Sequence, residues 1–174
     1  MDIIERVLNI LLTISIFLAG VFLAFAIPFG IHASDFRLFP IEIGIFRFVG
    51  LIPIVFGVLL AIGGAWGFIS VSTGSPMILD TPDELIITGS YRFVRNPLYS
   101  GFCLILLGEA FLYESSGVLV YLLAFFFMFN LLVFLFEEPI LKKKFGKRYE
   151  EYCKPVPRWI PRLRPFRGEI SKSS

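Results

Sequence analysis

Two polar clusters in this otherwise apolar chain contain the residue types that could carry chemistry. The first is GSYRFVRNPLYSG at residues 89–101, which combines two arginines with three aromatic residues. The second is the pair Glu137–Glu138, which directly follows a long apolar run. Arginines can bind an anionic group, aromatic faces can stack on an adenine-like ring or a cation, and paired carboxylates can bind ribose hydroxyls or an ammonium group. Together these groups predict a site for a zwitterionic, nucleotide-like cofactor.

The first cluster also contains a helix start signal. Asn96 suits an N-cap and Pro97 suits the first helical position, so a helix is predicted to begin there. The free backbone N–H groups of a helix start form a weak anion site, and Arg92 and Arg95 would reinforce it. Taken alone, such Arg and aromatic residues are explained equally well as anchors at a membrane boundary. The second cluster is what favours a ligand site.

The apolar segments that must position both clusters predict an all-α integral membrane protein. The chain has 174 residues, of which 56% are hydrophobic, whereas globular proteins have about 45–50%. A membrane-spanning helix needs about 20 mostly apolar residues. Four such helices are predicted, at residues 7–27, 48–69, 97–113 and 117–136. Pro28 is predicted to end the first, and the G-x-x-x-G spacing of Gly63 and Gly67 predicts close packing of the second.

A basic segment after the fourth helix predicts an amphipathic helix that lies in the membrane interface. Its apolar residues recur at helical spacing, namely Leu141, Phe145, Tyr149 and Tyr152. Pro139 suits its first turn and Pro155 ends it, and Trp159 beyond it is expected to be an interfacial anchor. The chain is thus divided into a two-helix membrane segment (1–69), a catalytic membrane region (70–163) and a disordered tail (164–174).

The distribution of positive charge orients the predicted helices. Of the 16 Lys and Arg residues, Arg37 and Arg47 lie between the first two helices, and the other 14 fall on the opposite side of the membrane. By the positive-inside rule, both termini and the 70–96 loop face the cytoplasm. A short turn joins the third and fourth helices, which therefore form an antiparallel hairpin. Both polar clusters are predicted to meet at its cytoplasmic end.

The remaining residues that could do chemistry receive structural interpretations. Cys103 and Cys153 suggest no disulfide framework, and His32 has no partner at ligand spacing, so no metal site is predicted. No Cys–His or Ser–His pair indicates covalent catalysis. Glu109, within the third helix, is a functional candidate by position, but a local structural role is favoured. Asn130 in the fourth helix is expected to make an interhelical hydrogen bond.

The passage LIITGSYRFVRNPLYSG, followed further along by EEPILKKKFGKRYEEYCKPVPRWIP, resembles the isoprenylcysteine carboxyl methyltransferase and phospholipid methyltransferase superfamily. Its members are small polytopic membrane enzymes that use S-adenosylmethionine. The resemblance covers roughly residues 80–161. It implies a cofactor site formed by Gly89, Tyr91, Arg95, Asn96, Tyr99, Glu137 and Glu138. It also implies that a basic residue near the C-terminal helix, Arg148 or Arg158, shapes the active site together with Arg95 and Glu137.

The expected reaction is carboxyl O-methylation of a lipophilic acceptor of the isoprenylcysteine type, with S-adenosylhomocysteine as the product. Isoprenylcysteine enzymes typically carry His where Asn96 stands. An amide cannot titrate, so proton transfer at this position is excluded. A carboxylate acceptor needs no general base, whereas a phospholipid amine does, and only Glu109, Glu137 and Glu138 qualify.

Three alternatives remain open. The chain could be a phospholipid N-methyltransferase, an NADPH-dependent reductase of the sterol type, or a non-enzymatic membrane adaptor whose charges only anchor its topology. The formal net charge of +2 does not by itself indicate a partner, and no nucleic-acid partner is expected. The expected partners are membrane lipids and a lipid acceptor.

Overall fold

The computed structural model describes residues 3–71 and 85–167, and within these ranges the chain is helical and contains no β-strand. Its helices are α1 (Ile3–Ala33), α2 (Leu51–Val71), α3 (Pro97–Leu112), α4 (Ser116–Leu132), α5 (Glu138–Phe145) and α6 (Lys147–Cys153). Short 3₁₀ turns, Gly44–Gly50 and Gly89–Arg92, precede α2 and α3, and a π-helical turn, Val133–Glu137, joins α4 to α5. Much of the predicted 70–96 loop, and the predicted tail beyond residue 167, lie outside the described residues.

Among the described residues, two helical segments are long and apolar enough to cross a membrane, Gly44–Gly67 and Ser116–Phe145. Two further apolar helices, Phe17–Ala33 and Pro97–Leu112, are shorter. The prediction of an all-helical protein is therefore confirmed for the described residues, and its apolar helices fit a membrane protein. Four crossings and an interfacial location for the C-terminal helix remain predictions.

Helix α1 does not end at Pro28, so that predicted boundary is wrong. The helix continues through a buried Pro28 to Ala33, and Ser34 N–H still donates to Gly30 O at 3.0 Å. Proline removes a single backbone donor, and neighbouring helices can compensate for that loss in a membrane bundle. Proline is therefore a weaker stop signal here than in a soluble helix.

The predicted single C-terminal helix is broken at Gly146, which separates α5 from α6. Gly146 has φ 52°, a conformation that favours glycine because it lacks a Cβ. The apolar residues on either side of the break still belong to one buried cluster, which consists of Leu85, Leu141, Tyr149, Tyr152 and Val156. The shared apolar face is thus confirmed, and the continuous helix is wrong.

Close packing of α2 on α3 fixes where α3 begins. A Cβ at Gly57 would lie 2.5 Å from the Gly101 carbonyl oxygen, so only glycine permits this approach. The core around this contact draws on α1 to α4 and consists of Ala24, Ala61, Phe102, Ile105, Leu106 and Phe125. Gly63 and Gly67 do provide a close contact, but they lie against Ser90 and Tyr91 of the 3₁₀ turn. The glycines of α2 therefore position the first polar cluster directly.

Candidate active site

The two polar clusters meet at the end of the α3–α4 hairpin where α3 begins. Arg95 Nη1 donates to Glu138 Oε1 at 2.9 Å, and the Tyr99 hydroxyl donates to Glu137 Oε1 at 2.6 Å. Both glutamates are buried, with 7% of Glu137 and 6% of Glu138 exposed. The predicted convergence of the clusters is therefore confirmed. The binding roles assigned to these residues remain predictions.

Glu138 binds a second arginine from the C-terminal segment. Arg158 donates from Nε to Oε1 at 2.7 Å and from Nη2 to Oε2 at 2.8 Å, and its guanidinium lies over the Phe134 ring at 5.7 Å. Such a forked arginine–carboxylate pair fixes geometry as well as charge. Arg95, Glu138 and Arg158 are called the ionic cluster below. Two guanidinium groups share one carboxylate, so the ionic cluster carries a net positive charge.

The π-helical turn explains why both glutamates face inward. A π turn adds residues to a helical turn, which changes the side on which the following residues lie, and such turns are frequent at functional sites. Within it, Val133 and Glu137 are buried, whereas Phe134, Leu135 and Phe136 are more than half exposed. The turn therefore places adjacent acidic residues inside while the preceding apolar residues face outward.

Arg95 keeps one donor without an acceptor. Its Nη1 also donates to Cys153 Sγ at 3.0 Å, but its Nε is buried and has no hydrogen-bond partner among the described residues. Burial lowers the pKa of Arg95, but Cys153, Glu138 and Tyr149 together outweigh burial, and the pKa lies above its ordinary value. Buried donors are rarely unsatisfied in native proteins. Its unsatisfied Nε makes Arg95 a candidate for binding a ligand.

Three tyrosines around the ionic cluster stay neutral. Burial raises the pKa of Tyr91, with a smaller contribution from Glu137. Burial likewise raises the pKa of Tyr149 and Tyr152. The Tyr152 hydroxyl donates to the Tyr91 carbonyl at 2.7 Å. These side chains can therefore donate hydrogen bonds and offer flat surfaces, but they cannot act as bases.

Residues 157–166, called the strap, lie along the start of α3. Arg95 N–H donates to Pro157 O at 2.9 Å, and Asn96 Nδ2 donates to Arg158 O at 3.1 Å. Further bonds run from Arg162 N to Phe93 O at 3.0 Å and from Phe166 N to Arg92 O at 2.9 Å. The strap holds Arg158 in the ionic cluster and includes residues 164–166 of the predicted tail.

Asn96 occupies the N-cap position as predicted, and Pro97 is at the first helical position. Its side chain makes no capping hydrogen bond, so the predicted side-chain cap is wrong. The amide binds the strap instead, because Arg158 O lies within its reach. Asn96 therefore joins two distant parts of the chain.

The other sequence candidates lie around the ionic cluster without entering it. Gly89 has φ 55°, a conformation that glycine adopts readily because it lacks a Cβ. Arg92 Nε donates to Phe166 O at 2.9 Å and so holds the strap. Of the two basic residues considered near the C-terminal helix, Arg158 contacts Glu138, whereas Arg148 Nε is buried with no hydrogen-bond partner in the described ranges. Glu109 is 2% exposed, lies further along α3 and takes no part in either polar cluster.

An apolar cavity of about 330 Å³ lies between α3, α4 and the strap. Its lining includes Cys103, Leu104, Leu107, Leu122, Phe126 and Trp159. Two lining residues are largely exposed, Leu123 at 61% and Ile160 at 79%. The cavity therefore opens sideways, on the face where α4 exposes apolar side chains.

This lateral cavity adjoins the polar site, which consists of the ionic cluster and the Tyr99–Glu137 pair, along two pairs of sequence neighbours. Tyr99 binds Glu137, whereas the next residue, Ser100, lines the cavity. Arg158 binds Glu138, whereas Trp159 lines the cavity. Ser100 Oγ donates to Trp159 O at 2.9 Å and ties the two pairs together. A polar site and an apolar site thus share one boundary.

Sequence reasoning assigned no site role to Cys153, Tyr149 or Ser100. Tyr149, Tyr152 and Cys153 fall on one face of a helix by their spacing, and this signal could have placed them together. Ser100 and the apolar lining carry no such signal, because ordinary apolar residues line lipid-facing helices everywhere.

Comparisons with known proteins find methyltransferases. The phospholipid methyltransferase family matches residues 45–148, a range that includes both polar clusters and ends before the strap. Two relatives are described as probable protein-S-isoprenylcysteine O-methyltransferases, from Oryza sativa subsp. indica and subsp. japonica. Each is 28% identical over 134 residues, which cover 75% of this chain and 70% of the relative. No solved structure matches the chain.

Proposed function

Because the chain belongs to the phospholipid methyltransferase family and is a methyltransferase, we propose that it transfers a methyl group from S-adenosylmethionine to a carboxylate on a lipophilic acceptor. The observation that carries the proposal is the shared boundary of the ionic cluster and the lateral cavity. Such an enzyme must hold a soluble, charged donor against an apolar acceptor. In the neighbouring pairs Tyr99–Ser100 and Arg158–Trp159, the first residue belongs to the polar site suited to the donor. The second residue lines the apolar cavity suited to the acceptor.

The ionic cluster together with Glu137 fits a zwitterionic methyl donor. The unsatisfied Arg95 Nε suits a carboxylate, and Glu137 and Glu138 suit an ammonium group or ribose hydroxyls. The residues proposed to hold the cofactor are Gly89, Tyr91, Arg95, Asn96, Tyr99, Glu137 and Glu138. When bound, S-adenosylmethionine supplies an activated methyl group on its sulfonium and is converted to S-adenosylhomocysteine.

The residues of this chain contribute position and charge more than proton transfer. With Arg95 serving the donor, Arg158 would orient the acceptor carboxylate, and Glu138 already offsets part of its charge. Limited neutralisation suits catalysis, because an over-stabilised carboxylate would be a poor nucleophile. Fixed orientation alone can lower such barriers by about 7–11 kcal/mol. The strap covers the site and would exclude water from it.

Phospholipid N-methylation is the second candidate, because the matching family is described as phospholipid methyltransferase. An amine acceptor must lose a proton, so a base is needed. Glu138 already accepts from two arginines and is poorly suited to that task. Glu137 is the other carboxylate of the site, and its Oε1 accepts from Tyr99. Because both carboxylates already accept hydrogen bonds from protein side chains, an acceptor that needs no base is favoured.

We test the proposal by titrating the purified protein with S-adenosylhomocysteine in a calorimeter. We expect saturable binding that weakens at least about tenfold in an Arg95→Ala/Glu137→Ala variant, since buried charged partners contribute several kcal/mol. Binding that survives this double substitution contradicts the assigned site. Binding of NADPH alone would indicate a reductase, and binding of neither ligand would indicate an adaptor.

The acceptor class is tested with radiolabelled S-adenosylmethionine, using N-acetyl-S-farnesylcysteine and phosphatidylethanolamine as separate substrates. A methyl ester releases methanol in alkali, whereas an N-methyl group does not. We expect label in an alkali-labile product of the cysteine derivative. Alkali-stable label in phosphatidylethanolamine alone would favour the second candidate.

We also propose that the site faces the cytoplasm, because 14 of the 16 Lys and Arg residues lie on its side in the predicted topology. A Leu163→Cys substitution on the strap, where the side chain is 99% exposed, provides a labelling position. A membrane-impermeant maleimide should label it in inverted vesicles and should not label it in right-side-out vesicles. The reverse pattern contradicts the proposed orientation.

A further inference from the structure

We propose that Trp159 determines how bulky an acceptor chain the lateral cavity takes, and that Asn130 holds it in position. This inference rests on the proposed function, since it concerns the acceptor of that reaction. Trp159 stands at the boundary between the cavity and the ionic cluster, next to Arg158. On this proposal, a chain that enters from the bilayer passes the indole before its reacting group reaches the ionic cluster.

The indole is fixed from two sides. Its Nε1 donates to Asn130 Oδ1 at 3.0 Å, and its ring packs edge-on against Phe126 with centroids 5.1 Å apart. The backbone of the same residue is held by the Ser100 hydroxyl at 2.9 Å. Two contacts with α4 thus hold the indole and one with α3 holds the backbone of a residue that the sequence suggests is only an interfacial anchor.

Asn130 is an amide in an otherwise apolar stretch of α4. A polar side chain is costly within a membrane unless a hydrogen bond satisfies it, and such residues usually join neighbouring elements. Its partner is a strap residue, whereas the sequence predicts a hydrogen bond to another helix. Asn130 is therefore a positioning residue, which acts on the acceptor only through Trp159.

The cavity is small for a ligand pocket. Ligand pockets commonly have volumes of about 300–1,000 Å³, and about 330 Å³ is near the lower limit. Its mouth, at Leu123 and Ile160, is open, so chain length outside the mouth is not restricted. The proposed selection therefore acts on the width of the acceptor chain beside the indole.

The first experiment asks whether an acceptor chain occupies the cavity. Trp66 and Trp159 are the 2 tryptophans of the chain, so a Trp66→Phe variant reports on Trp159 alone. It is titrated with N-acetyl-S-dodecylcysteine brominated along its chain, because bromine quenches a nearby indole. We expect saturable quenching, which the unbrominated compound should reverse. Quenching that rises without saturation, or none, overturns the proposal.

The second experiment measures selectivity. N-acetyl-S-dodecylcysteine and N-acetyl-S-farnesylcysteine have main chains of equal length, but only the latter carries methyl branches. Each buried methyl group changes binding about fourfold, so Trp159→Ala should shift the kcat/KM ratio toward the branched acceptor by about tenfold or more. The shift should arise mainly in KM. Trp159→Phe, which keeps a ring but loses the hydrogen bond, should give a smaller shift in the same direction.

Asn130 is tested by a substitution and its conservative counterpart. Asn130→Leu should shift the ratio as Trp159→Phe does, and Asn130→Gln, which retains an acceptor, should restore part of the original ratio. Leu163→Ala is the matched control, because this strap residue is 99% exposed and does not line the cavity. An unchanged ratio in Trp159→Ala, or an equal shift in Leu163→Ala, overturns the proposal. S-adenosylhomocysteine affinity, measured on the same preparations, reports separately on the proposed function.

Discussion

The two ends of the α3–α4 hairpin both contain buried polar residues, but they use them differently. At the turn end, residues 113–116, side chains accept hydrogen bonds from backbone. Glu114 Oε1 accepts from Ile43 N at 2.9 Å and Gly44 N at 2.7 Å, and Ser116 Oγ accepts from Leu38 N at 2.9 Å. At the cluster end, side chains bind one another, as in Arg95–Glu138 and Tyr99–Glu137.

The difference distinguishes polar residues that hold the fold together from polar residues that are candidates for binding a ligand. Backbone N–H groups must be satisfied in any fold, so the turn end uses its glutamate and serine to close a loop. An ion pair between buried side chains contributes little to net stability, because desolvation offsets the attraction. The cluster end also keeps an unsatisfied Arg95 donor. Charged groups that stabilise the fold so little are the better candidates for binding a ligand.

The largest effect is expected from Glu138→Gln. This substitution leaves Arg95 and Arg158 without their shared carboxylate, and losing one partner of a buried charge pair costs about 2–5 kcal/mol. S-adenosylhomocysteine affinity and methyl transfer should each fall about 100-fold, as measured by calorimetry and by label transfer. The matched control is Glu114→Gln at the turn end, which should leave the affinity of the folded protein within about twofold. Equal losses from both substitutions would remove the distinction between the two ends.

A smaller loss is expected from Tyr99→Phe. The hydroxyl donates to a buried carboxylate at 2.6 Å, and hydrogen bonds to charged groups contribute about 1.5–3 kcal/mol. Affinity for S-adenosylhomocysteine should fall about tenfold or more in a calorimetric titration. Unchanged affinity would mean that Glu137 lies outside the cofactor site.

Ser116→Ala should affect stability and not binding. The substitution removes the acceptor of the Leu38 and Phe39 backbone N–H groups, and unsatisfied donors cost about 1–3 kcal/mol. Thermal unfolding in detergent should shift to lower temperature, while the affinity of the folded fraction for S-adenosylhomocysteine stays constant. A selective loss of affinity would show that the turn end communicates with the site.

The smallest effect is expected from Glu109→Gln. Glu109 is buried and its Oε2 has no hydrogen-bond partner among the described residues, so a near-isosteric amide loses little. Methyl transfer should stay within about twofold and the unfolding free energy within about 1 kcal/mol. A large loss of transfer would make Glu109 the base that an amine acceptor requires.

The sequence predicted the architecture of the cluster end better than its details. Pro97 marked the start of α3. The short turn between α3 and α4 required an antiparallel hairpin, and both clusters lie at one end of that hairpin. Asn96 and Pro28 were less informative, because each was interpreted by local rules. Asn96 binds Arg158 O rather than capping its own helix, and α1 continues past Pro28. A contact with a distant segment can override the local preference of a residue. The type of a single residue does not predict such a contact.

By itself, the sequence determined the apolar helices, the close approach of α2 through its glycines and the meeting of the two polar clusters, because periodicity and short connections constrain these directly. Only the tertiary structure decided which side chains meet. Arg158 pairs with Glu138, Trp159 lines the lateral cavity and Asn130 holds the indole. These contacts depend on where the strap lies across α3 and α4, and that path follows from packing between segments far apart in the chain.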